Sequence, residues 1–297
     1  MVQSNHKNIF SIKGGDSMTE NEQRSLDRSN VQDLLSLTPM QAGMLFHYLN
    51  NSENKHYFEQ LSMDISGKIN LEFIEQAWNH VVDTNEMLRT IYRWDKLAEP
   101  IQIILKNYQV PIKRYDLSGL KEARKNIKIE EIKEIEREKI DLTSQPFRIS
   151  LILSGDNNIT MLITYHHILY DGWSNGIILK EFFQAYNTIY NGGQLEKPKK
   201  HPFKQFVTAI NSQNEDQLKK YWANYLGGFE TRTPLPPIEE GQVGGVEHYH
   251  YNLDKRLTGA IKGFTRKNRI TMAALLYSIW GIILQRYNNT DDIIFGT

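Results

Sequence analysis

The stretch ITMLITYHHILYDGWS, residues 159–174, decides how this chain reads. It opens almost continuously apolar, the pattern of a strand covered on both faces. Ahead of it RISLILS, residues 148–154, has the same character, and Gly155-Asp-Asn-Asn158 between the two gives a strong hairpin signal. The second strand runs directly into His166 and His167. Adjacent side chains at a strand end point to opposite faces, so one imidazole can face a cavity while its neighbour packs behind it. Imidazoles titrate near neutrality, and a positioned general base contributes on the order of 10²–10⁴ in rate. Asp171 follows in a tight turn and reads as buried, which demands a cation or several donors. Gly172 reads as the point where a Cβ would clash, with Trp173 and Ser174 opening the next helix. From the residues alone the histidines are either catalytic groups or satisfied core or surface side chains, and both readings stand. His248 and His250, on one face of a predicted strand, are a weaker candidate pair for zinc.

Outward from this centre, strands and helices alternate. TPMQAGMLFHYLN predicts a helix with Thr38 as N-cap, Pro39 in the first position, and Met40, Met44, Leu45 and Tyr48 or Leu49 at helical spacing. A strand is expected from Tyr57 to Ile65, ended by Gly67, and a helix from Asn70 to Arg89 with Phe73, Ile74, Ala77, Trp78, Val81 and Val82 on one side. TIYRW and PIQIILK read as strands. Residues 121–140 carry thirteen charged side chains of alternating sign, a solvated amphipathic helix. A helix from Asn175 to Tyr190 ends at Asn191-Gly-Gly193, followed by the exposed connector QLEKPKKHP. Beyond it HPFKQFVTAI and QLKKYWANYLGGF read as helices, EHYHYNL as a strand, residues 255–287 as two helices and DDIIFGT as the start of a strand. Such alternation predicts layered α/β architecture.

Composition narrows the function. Of 297 residues, 35 are Lys or Arg and 35 are Asp or Glu, so no net field draws the chain to nucleic acid or to an anionic membrane. Zero cysteines exclude disulfides, thiolate nucleophiles and cysteine-based metal sites. MVQSNHKNIF lacks the apolar core of a signal peptide, and no window has the length of a membrane span. A monomeric cytoplasmic protein is the expectation. Residues 1–32 are polar and aperiodic, a flexible linker. Within them Gly14-Gly-Asp-Ser17 is similar to the setting of an arm-bearing serine in carrier domains, but only thirteen residues precede it, and it reads as a linker turn.

Four motifs in order carry a resemblance to a family. HHILYDGWS resembles the HHxxxDG signature of the condensation domains of nonribosomal peptide synthetases, which share the chloramphenicol acetyltransferase-like fold. Leu37-Thr-Pro-Met-Gln41-Ala-Gly-Met-Leu-Phe-His47 resembles the family's opening motif. Glu86-Met-Leu-Arg89-Thr90 resembles its RHExLRT motif, and His201-Pro-Phe-Lys-Gln-Phe206 its short aromatic motif. The wording is similar to the subclass that joins an L-donor to an L-acceptor.

The resemblance implies an α/β two-lobe layered sandwich, with a first lobe complete over 33–211 and a second begun over 212–297 but not completed. It implies that the second histidine, His167, contacts the acceptor's amino group as base or as orienting group, with His166 supporting it from behind. Asp171 would be structural, and Arg89 its ion-pair partner in a buried pair that locks the turn. Gly172 would give backbone room or an N–H near the thioester, with Trp173 and Ser174 supporting the site. No cofactor or metal would be bound directly; substrates would arrive on phosphopantetheine arms of upstream and downstream peptidyl carrier domains, beside an adenylation domain. Thr84 and Asn85 depart from the family's Arg and His, and its FVNT-type motif is not found. Two rivals are an acyl-CoA-dependent acyltransferase of the same fold and a non-catalytic carrier-binding fragment.

Overall fold

The computed structural model describes residues 27–50, 56–138, 140–155, 158–229, 233–235 and 249–296. Gly14–Ser17 and His248 therefore lie outside the described residues. The chain divides into two compact units, Met1–Gln213 and Asn214–Thr297.

The first unit holds two sheets. One has the order β1 (Val31–Ser36), β4 (Ile101–Leu105), β3 (Thr90–Arg93), antiparallel throughout. The other has the order β2 (Phe58–Ser66), β7 (Asn158–His166), β6 (Phe147–Gly155), β5 (Ile112–Asp116), with only β5 and β6 parallel. The expected hairpin is the β6–β7 pair, and both strands are central. Their continuous apolarity has a physical cause. One face packs Phe147, Ile149, Leu151, Met161 and Ile163 with helices α2 (Leu71–Thr84) and α4 (Gly172–Tyr190), while Ile152 and Leu162 pack on the other face with Ile132 of α3 (Glu122–Glu136). Trp78 of α2 anchors the first face, stacked on Phe182 of α4 at 4.7 Å and donating its indole N–H to the Met161 sulfur at 3.3 Å. Helix α1 (Pro39–Asn50) starts as expected, with Thr38 Oγ1 accepting the Gln41 N–H. Helix α5 (Phe203–Asn211) closes the unit.

Several expectations are corrected. The helix from Asn70 ends at Thr84 instead of Arg89, because Asn85 is extended and Glu86–Arg89 is a short 3-10 turn. Thr84 Oγ1 donates to the His80 and Val81 carbonyls and Asn85 Nδ2 to the Val81 carbonyl, so side chains satisfy carbonyls that the helix would otherwise use. Strands β1 and β5, VQDLLS and IKRYD, were not expected, since polar residues interrupt their alternation. Helix α4 begins at Gly172, one residue ahead of the Trp173-Ser174 expected to open it, and runs through the stretch from Asn175 to Tyr190.

The second unit contains α6 (Glu215–Tyr225), α7 (Lys255–Asn268) and α8 (Met272–Asn288), capped by Asn214, Asp254 and Thr271. Residues 249–253 and 291–296, parts of the two predicted strands, are irregular. A strand needs a ladder partner, and the amide of Ile294 instead donates to Thr233 Oγ1. No helix among the described residues is long and apolar enough to cross a membrane.

Candidate active site

The two histidines stand at the exit of the central strand β7 and differ in burial. His166 is fully buried, ringed by Tyr48, Tyr57 and Phe58 at centroid distances of 5.7, 6.2 and 5.6 Å. Its Nδ1 accepts the Ile168 N–H at 3.1 Å, which puts the proton of the neutral ring on Nε2. Burial, and secondly the nearby His167, push its pKa down to about 4, so it is neutral at physiological pH. His167 is only half-buried, and its backbone N–H donates to the Tyr57 carbonyl at 2.8 Å. The expected division into one inward and one accessible imidazole therefore has a geometry: His166 is the one that packs behind.

The turn that follows is tied down from below. The Ile168 carbonyl accepts from Gln41 Nε2 at 3.2 Å and from the Tyr92 hydroxyl at 3.1 Å. Gln41 is buried and exchanges reciprocal side-chain bonds of 3.1 Å with Gln102. The first helix and the β3–β4 sheet are thus coupled to the histidine turn through one carbonyl. Sequence reading placed Gln41 only in a motif and missed Tyr92; a polar residue inside an otherwise apolar helix start was the available signal. Tyr170, assigned no role from sequence, stacks on Tyr165 at 4.1 Å, and Tyr165 accepts from Asn175 Nδ2 of α4 at 2.9 Å.

Asp171 is not buried, and the Arg89–Asp171 pair does not form among the described residues. The Asp171 carboxylate is exposed and caps α4, with Oδ1 accepting the Ser174 N–H at 3.0 Å and the Ser174 hydroxyl at 2.8 Å. Those bonds hold its pKa below the ordinary value. Arg89 is buried in other surroundings, donating through Nη1 to Gln32 Oε1 at 2.7 Å and to the Leu105 carbonyl. Gln32 in turn donates to Glu86, whose other oxygen accepts the Phe203 N–H at 2.8 Å. Each charged group has local partners, although the Arg89 Nε is buried without a hydrogen bond. Gly172 is corrected as well: a Cβ there would meet nothing within 4 Å, and its φ is not positive. It is the first residue of α4. Ser174 is the residue that the Asp171 cap holds, whereas Trp173 is 90% exposed and contributes no buried packing.

Two clefts, of about 270 and 310 Å³, run beside the connector between residues 194 and 203; Arg89 borders the larger, and neither is lined by His166 or His167. No cluster of three or more metal-ligating side chains occurs among the described residues.

The site is thus a half-buried imidazole just past the end of a central strand, backed by a neutral buried one and followed by a capped helix, in an α/β fold. The chain belongs to the condensation domain family, whose model matches residues 31–297. It is 30% identical over 274 residues to tyrocidine synthase 2 of Brevibacillus parabrevis, a match covering 91% of this chain and 8% of that protein. It is 32% identical over 275 residues to bacitracin synthase 1 of Bacillus licheniformis, covering 90% of this chain and 5% of that protein. The chain thus spans only a small part of the length of these relatives. The first condensation domain of the calcium-dependent antibiotic synthetase, solved with a substrate analogue, superimposes with a TM-score of 0.70 at 16% identity, covering 88% of this chain and 63% of that one. That likeness shows the expected condensation-domain fold, of the chloramphenicol acetyltransferase-like α/β class.

Proposed function

We propose that this chain carries the histidine side of a site that forms an amide bond between two carrier-tethered substrates in nonribosomal peptide synthesis. The observation that carries the reading is His167: half-buried, held through its backbone N–H, and standing just past the end of the central strand β7. The acceptor's amine nitrogen attacks the donor thioester carbonyl; the C–N bond forms, the C–S bond breaks, and the departing thiolate takes up the proton that the amine loses. His167 receives that proton in passing or orients the amine, and tethering supplies most of the rate through proximity. The thioester already stores the acyl activation, so no ATP is consumed in this step. The tethers are phosphopantetheine arms on upstream and downstream carrier domains, with an adenylation domain adjacent. Both substrates are L-configured, and the module works as a monomer in the cytoplasm.

The test mixes the protein with a donor and an acceptor carrier, each loaded as an aminoacyl thioester, and follows dipeptidyl thioester by mass spectrometry. Wild type forms product, and His167→Ala loses on the order of 10² or more in rate. Full product from His167→Ala, or transfer from soluble acyl-CoA in place of the carriers, overturns the reading.

A further inference from the structure

Tyr57 adopts φ = +65°, the left-handed region that a bulky residue occupies only when its surroundings impose it. In the β2–β7 ladder Phe58 lies opposite His166, which makes Tyr57 and His167 the next rung; there the His167 N–H meets the Tyr57 carbonyl at 2.8 Å. In a regular strand residues 57 and 58 would point to opposite faces. Instead both rings reach the same imidazole, His166, at 6.2 and 5.6 Å. The left-handed backbone is what folds the Tyr57 ring back to the side that Phe58 occupies. Beyond it the Tyr57 ring meets the exposed His47 and His56 at 5.9 and 6.4 Å, so it stands between the buried imidazole and that outer pair.

We infer that Tyr57 is the positioning residue of His167, fixing its backbone through one carbonyl and fixing the neighbouring His166 ring by contact, with the left-handed turn as the device that allows one residue to do both. The role rests on His167 being the reacting imidazole, but the clamp is measurable without turnover. The experiment uses the whole 297-residue chain as wild type, Tyr57→Phe, Tyr57→Gly and Tyr57→Val. It reads the amide exchange of His167 and the pH profile of carbethoxylation at each histidine, with exposed His201 as internal reference.

Phe keeps the ring and the backbone, so both readouts match wild type. Gly accepts the positive φ but removes the ring: the His167 amide stays protected while His166 becomes reactive. Val resists the left-handed region, so His167 amide exchange rises about tenfold and its carbethoxylation profile shifts, with Met161 and Ile163 in mid-strand still protected. Wild-type exchange and profile in Tyr57→Val overturn the inference, as does loss of protection spread evenly to Met161, which a merely structural role would give. If the Val variant fails to fold, the Gly variant decides: His166 as unreactive as in wild type overturns the inference. Failure of the catalytic reading would look different, as peptide formation by His167→Ala with the clamp intact.

Discussion

Asp171 and Ser174 form a closed helix cap, the carboxylate accepting both the backbone N–H and the hydroxyl of the serine three residues on. Removing the carboxylate in Asp171→Ala is therefore expected to lower stability by about 1 kcal/mol, and Asp171→Asn, which still caps, by only a few tenths. Urea denaturation at pH 7 measures both. A loss of about 3 kcal/mol or more would be the signature of a broken buried ion pair instead.

Arg89 gives a larger effect by a separate route. In Arg89→Met the buried Leu105 carbonyl and the exposed Gln32 side chain lose a charged donor, an expected loss of about 2–3 kcal/mol that the carbonyl dominates. Since Arg89 and Asp171 share no partner among the described residues, the double variant should be additive to within about 0.5 kcal/mol. A coupling well above that would place the two side chains in contact.

His166 predicts an acid limb in the stability profile. Its folded pKa of about 4 lies below the ordinary 6.5, so between these values the unfolded chain binds the proton and the folded one does not. Stability is thus full above about pH 6.5 and declines on acidification towards pH 4, by about 3 kcal/mol in all. Glu136 and Asp141, whose pKa values are held below the ordinary 4.5 and 3.8, contribute stability that is lost only at lower pH, as they protonate. Urea midpoints between pH 7 and 4.5 test this, and His166→Gln should flatten the limb. An equally steep limb in that variant would assign it to other groups.

Gln41 links the first helix to the histidine turn, and Gln41→Leu should cost about 1–3 kcal/mol by leaving the buried Gln102 Oε1 without its donor, while Gln102 Nε2 keeps the Ser36 carbonyl. The Ile168 carbonyl keeps the Tyr92 hydroxyl in that variant, so adding Tyr92→Phe should cost more than it does alone. Thermal melts of the two single variants and the double check this; strict additivity would show that the carbonyl does not couple them.

Local periodicity made much of the fold legible. The β6–β7 hairpin follows from two apolar runs around a Gly-Asp-Asn-Asn turn, and α1 from Thr38-Pro39 ahead of spaced apolar residues. The helix break at Asn85 was hidden, because side chains bonding back to carbonyls leave the apolar spacing of α2 undisturbed. β1 and β5 were hidden because their identity as strands comes from the neighbours β4 and β6, not from their own alternation.

Residue order was enough to establish that two histidines end a central strand, that a helix follows, and which family's motifs surround them. Only the assembled fold settled which imidazole is buried and neutral, that Arg89 and Asp171 serve separate neighbourhoods, and that Gln41, Tyr57 and Tyr92 hold the turn. The physical reason is range. Strand alternation and helix caps act over a few residues, whereas burial and the partner of a charged group depend on which distant segments the sheets bring alongside.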